Sequence, residues 1–124
     1  MSVKPTMTLD EFRRQSSQIQ SERAKARGRY EDYAKEAAEA ETEYRKRLAQ
    51  AFAEAKRMEG VTAAQAELEA HSAASEARLK RDLAQSLAKS SLLRVEALEA
   101  DRATLRSIAE WSQKIDATGA GVAA

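Results

Sequence analysis

The sequence predicts an all-α fold: a long antiparallel two-helix hairpin of coiled-coil character, completed by dimerisation or by docking on a partner. Three observations carry that expectation. Alanine supplies 27 of the 124 residues, charged side chains make up 33% and aromatics 5%, a balance that suits long helices and not a sandwich or a disulfide scaffold. Helix breakers are scarce, since Pro5 is the single proline and only Gly28 and Gly60 interrupt the chain between Thr8 and Asp116. Apolar residues also recur at intervals of three, four and seven, which is the repeat of one helix face.

Residues 1–7 read as a flexible N-terminal tail. Thr8-Leu9-Asp10-Glu11 then forms a capping box, in which the Thr8 hydroxyl accepts from the Glu11 amide while the Glu11 carboxylate accepts from the Thr8 amide. A first helix follows over 8–59. Gly60-Val61 stands where a helix C-cap belongs, and residues 60–62 make the turn. Thr62-Ala63-Ala64-Gln65 is a second capping box, opening a helix over 62–116. Thr118-Gly119-Ala120-Gly121 falls in a flexible C-terminal tail, 117–124. Each helix would be ~75–80 Å long, and a turn this tight folds the second back along the first.

In the first helix, Leu9, Phe12, Ile19, Ala26, Tyr30, Tyr33, Ala37, Tyr44, Leu48, Ala51, Ala55 and Met58 define the stripe expected to face inward. In the second, the stripe is Leu68, Leu79, Leu83, Leu87, Leu93, Ala97, Leu98, Leu105, Ile108, Trp111 and Ile115. Residues whose numbers sum to about 121 should lie level across an antiparallel pair. Tyr30 and Tyr33 then face the region 86–91, and large side chains of one helix meet small ones of the other. Arg23 falls about one turn from Asp101, which predicts an interhelical ion pair that fixes register. Leu92 and Val95 lie outside the second stripe and form the expected partner contact or dimer seam.

Chemistry-bearing constellations are sparse. No cysteine is present, which excludes disulfides, thiol catalysis and sulfur-ligated zinc. His71 is the sole histidine and has no convergent partners. Glu36, Glu39, Glu41 and Glu43 read as a solvated face, because a di-metal site would need the Glu-x-x-His pattern. Gly28 stands alone and makes no phosphate loop. The expectation is a non-enzymatic protein with no catalytic residue, metal, cofactor or small-molecule substrate.

The net charge is +1, although residues 1–30 carry seven Lys+Arg against three Asp+Glu. A basic contact through Arg23, Lys25, Arg27 and Arg29 would involve nucleic acid, but on a helix these four point in different directions. Tyr30, Tyr33 and Tyr44 align with the inward stripe instead of offering bases a stacking platform. No stretch approaches the ~18 consecutive apolar residues of a membrane span, and the first ten residues lack a signal-peptide core. The cytoplasm is the expected compartment.

From Tyr44 onward, the Tyr44-Arg45-Lys46-Arg47-Leu48-Ala49 stretch, the Gly60-Val61-Thr62-Ala63 turn and the segment Thr104-Leu105-Arg106-Ser107-Ile108-Ala109-Glu110-Trp111 resemble a family of small helical-hairpin proteins of phages and prophages. The likeness covers about 70 residues. Members often accompany DNA-recombination genes, so the resemblance implies a phage accessory protein. The function expected is a protein-interaction module that binds and modulates a DNA-processing or host-defence complex, an anti-CRISPR-type inhibitor among the options. Two alternatives stand beside it. One is a structural coiled coil, either an assembly scaffold or an export-type stalk; the other is a DNA-associated recombination accessory factor.

Overall fold

The structure, a computed structural model, describes residues 7–122, with side chains as far as Ala117. Residues 1–6 of the expected N-terminal tail and the last two of the C-terminal one lie outside the described residues. The fold is all-α: three helices cover 92% of the described residues, and no strand occurs among them. Helix α1 spans Leu9–Lys56, α2 spans Ala63–Ala73 and α3 spans Ser75–Val122.

Both capping boxes form. The Glu11 amide donates to Thr8 Oγ1 at 3.2 Å and the Thr8 amide to Glu11 Oε2 at 3.4 Å. At the second, the Gln65 amide donates to Thr62 Oγ1 at 3.2 Å and the Thr62 amide to Gln65 Oε1 at 3.1 Å. Helix α1 ends at Lys56, three residues before the expected Glu59. Its last turn tightens there, with the amides of Arg57 and Met58 donating three residues back to Glu54 and Ala55. Gly60 takes φ +81°, the left-handed conformation that a side chain resists and glycine accepts.

The expected second helix is divided at Ala74, which has φ −95° and ψ 7°. Hydrogen bonding continues through it, since the Ala74 amide donates to Ala70 and the Arg78 amide to Ala74. Buried positions here step by four twice, Ala66–Ala70–Ala74, before an alternation of threes and fours begins at Ala77. Such a stutter changes the local winding of the helix. At its other end α3 continues through Val122, beyond the expected stop at Asp116. A helical glycine costs only about 1 kcal/mol relative to alanine, which Gly119 and Gly121 do not raise to a barrier.

The chain divides into two compact units, 29–91 and a second made of the segments up to Gly28 and from Leu92 onward. In the first, the α1 segment runs antiparallel to α2 and the start of α3. Its seam positions on α1, all buried or half-buried, are Tyr30, Tyr33, Ala37, Ala40, Tyr44, Leu48, Ala51 and Ala55. Facing positions are Ala66, Ala70, Ala74, Ala77, Arg81, Ala84, Ala88 and Ser91. Alternating steps of three and four are the heptad seam of a coiled coil, here built largely from alanine. Small side chains let helix axes approach toward the short end of the usual ~8–10 Å.

In the second unit, the seam holds Phe12, Ser16, Ile19, Arg23 and Ala26 on α1 and Val95, Leu98, Leu105, Ala109, Ser112 and Ile115 on α3. The Met7 amide donates to Ser112 Oγ at 2.8 Å, tying a residue expected in the N-terminal tail to α3.

Candidate functional site

The leucine stripe expected inside the hairpin is largely outside it. Leu68, Leu79, Leu83, Leu87 and Leu93 are all exposed, Leu79 to 62% and Leu83 to 59%, whereas Ala70 and Ala74 are almost fully buried. From Ala77 onward the seam follows alternating steps of three and four through Ala84 and Ala88, while Leu79, Leu83 and Leu87 advance by four each time and leave it. Lower in α3, Leu98 and Leu105 are buried as expected; Ile108 and Trp111 are exposed.

Clefts flank the seam of unit 29–91 on both sides. Seam residues Ala37, Ala40 and Tyr44 are each preceded by a glutamate, Glu36, Glu39 and Glu43; Arg81, Ala84 and Ala88 are likewise preceded by Lys80, Leu83 and Leu87. The three glutamates, Lys80, Leu83 and Leu87 line one cleft of about 540 Å³, with Ala40 and Ala84 between the walls. On the opposite flank, residues that follow the seam positions, among them Arg45, Phe52, Glu67 and His71, line a cleft of about 290 Å³ together with Leu48 and Ala70. His71 is therefore an exposed wall residue. Among the described residues no group of three or more His, Cys, Asp or Glu could hold a metal ion.

A cation lies in the seam itself. The Arg81 guanidinium stacks over the Tyr44 ring, donates to Asp82 Oδ1 at 2.8 and 3.0 Å, and lies 3.5 Å from Glu41 Oε2. Hydrogen bonding to Asp82 holds its pKa above the ordinary value against the opposing effect of desolvation. Glu41 also accepts from Arg45 and Gln85, so it belongs to this network and not to the acidic wall. Sequence reasoning passed over Arg81; the signal was its place in the three-and-four spacing of Ala77, Ala84 and Ala88.

The expected register pair forms with a different acid. Arg23 Nε donates to Glu99 Oε1 at 2.5 Å, with the Arg23 side chain 18% exposed, while Asp101 is exposed to solvent. The heptad explains the choice: Glu99 directly follows the seam residue Leu98, whereas Asp101 lies two positions farther round the helix. Arg27 reaches the same Glu99 oxygen at 3.6 Å, and Arg94 pairs with Glu22 at 3.7 Å. Of the four basic residues Arg23, Lys25, Arg27 and Arg29, the first two arginines are thus drawn to Glu99, and Lys25 and Arg29 are exposed. Val95 is a second departure. It is 8% exposed and occupies the seam, so it cannot serve an external contact, while Leu92 is 37% exposed.

No helix among the described residues is long and apolar enough to cross a membrane. Comparison with family models, with curated proteins and with solved structures finds no match to this chain.

Proposed function

We propose that the protein is a non-enzymatic interaction module, a helical hairpin that binds another protein through the leucines of α3. The observation that supports this most is the inversion of the second stripe: alanine fills the seam and leucine faces solvent at 68, 79, 83, 87 and 93. Scattered exposed aliphatics are ordinary on a soluble protein, but Leu79, Leu83 and Leu87 follow one another at single helical turns. A row of that spacing is what a partner helix covers when it lies along another.

The phage setting and the DNA-processing or host-defence partner rest on the sequence resemblance alone. The engagement of Arg23 and Arg27 with Glu99 weighs against the alternative of a nucleic-acid contact through the basic N-terminal helix. The test is affinity purification from the native host, with the parent compared to Leu79→Gln/Leu83→Gln/Leu87→Gln. A protein recovered by the parent and lost from a variant of unchanged helicity supports the reading. A recombinase, nuclease or defence component supports its specific form, and a capsid protein or secretion ATPase supports the scaffold or stalk. Equal recovery by parent and variant contradicts the role of the leucines.

A further inference from the structure

We propose that the cleft walled by Glu36, Glu39 and Glu43 on α1 and by Leu83 and Leu87 on α3 accepts one amphipathic helix of a basic partner protein. This inference rests on the interaction-module reading and adds the chemistry of the partner. The two walls are unlike each other. On one side Leu83 and Leu87 lie a single turn apart and are 59% and 48% exposed, with Ala40 and Ala84 forming the floor. On the other, three exposed carboxylates recur at steps of three and four along about 10 Å of helix. None of the three is engaged in a hydrogen bond or ion pair among the described residues. Lys80 is the one cation on the walls.

An incoming helix that lays leucine-like residues on Leu83 and Leu87 places one flank against the glutamates. Lysine or arginine on that flank gains attraction along two turns, and glutamate or aspartate there meets repulsion. A second copy of this chain fits less well. In a two-fold interface both subunits contribute the same patch, so six carboxylates would gather against two ammonium groups. The acidic wall also repels the phosphates of nucleic acid. Charge complementarity therefore selects a basic protein helix as the occupant.

The test uses two labelled peptides of about 18 residues, with identical leucines at helical spacing, one flanked by lysine and the other by glutamate. Fluorescence anisotropy against the full chain is expected to show the lysine peptide binding at least about tenfold tighter, with the difference shrinking as salt rises. Glu36→Lys/Glu39→Lys/Glu43→Lys should reverse the preference, and Leu83→Gln/Leu87→Gln should abolish binding of both peptides while circular dichroism stays unchanged. Equal binding of both peptides would overturn the charge selection and leave the interaction-module reading standing. Binding of neither would overturn both. A dimer in sedimentation equilibrium that Leu83→Gln/Leu87→Gln converts to monomer would make a second copy the occupant and overturn the proposal.

Discussion

The Arg81 guanidinium lies 4.4 Å from the centre of the Tyr44 ring, one of the large side chains in a seam otherwise made mostly of alanine. A charge at such a position is tolerated because it is stacked and paired while its side chain keeps 20% exposure. The ring takes one face, Asp82 accepts two of its N–H groups, and Glu41 approaches from α1. Alanines on α2 and α3 leave room for the tyrosine; the tyrosine in turn gives the arginine a ring face to stack on.

Tyr44→Ala should therefore be among the most costly single changes in unit 29–91. Loss of a buried aromatic side chain typically destabilises by about 3–5 kcal/mol. Tyr44→Phe keeps the ring and its cation contact, and should lose less than about 1.5 kcal/mol. Urea denaturation of the two variants checks the contrast, and equal losses would show that the hydroxyl, not the ring, holds the site.

Gly28 and Gly60 should respond to alanine with opposite signs. Gly28 lies inside α1 with open space where a Cβ would project, so Gly28→Ala should stabilise by about 0.5–1 kcal/mol. Gly60 has equal space but φ +81°, so Gly60→Ala should destabilise by about 1–2 kcal/mol. Thermal melts of the pair separate backbone conformation from packing, because packing is open at both.

Glu99, not Asp101, should carry the register ion pair. With Arg23 mostly buried and Glu99 partly exposed, Glu99→Ala should cost about 1–2 kcal/mol, between the values for exposed and buried pairs. Asp101→Ala should stay within about 0.5 kcal/mol of the parent, as exposed substitutions usually do. Chemical denaturation of both variants decides between them.

The second capping box should contribute independently of the seam. Thr62→Ala removes the acceptor for the Gln65 amide and should cost about 1 kcal/mol, while Thr62→Ser should retain most of it. Denaturant midpoints of the two variants against the parent make the comparison.

What could be read from the sequence was local chemistry and level. Thr8 with Glu11, Thr62 with Gln65, and Gly60 each specify their structure through neighbours within a few residues, and all three behave as their residue types require. Axial level followed from the turn, which is why Arg23 finds an acid two residues from the expected one. The choice of face on α2 and α3 was harder. Ranking residues by hydrophobicity places Leu79, Leu83 and Leu87 inside, yet their fours-only spacing drifts round the helix while Ala77, Arg81, Ala84, Ala88 and Ser91 hold a heptad. The same misjudged face put Val95 outside, although it continues that heptad from Ser91. Periodicity was the better guide, and bulk misled because α1 already supplies Tyr30, Tyr33 and Tyr44.

The central claim, alanine inside and leucine outside, can be tested directly because the chain has no cysteine. Single variants Ala70→Cys, Ala74→Cys, Leu79→Cys and Leu83→Cys would each be labelled with a maleimide at high dilution, and the rates compared with those of the unfolded chains. Cys at 79 and 83 should react nearly as fast as when unfolded, and Cys at 70 and 74 should be strongly protected. Protection at 79 and 83 together with rapid labelling at 70 and 74 would contradict the seam assignment and return the leucines to the interior.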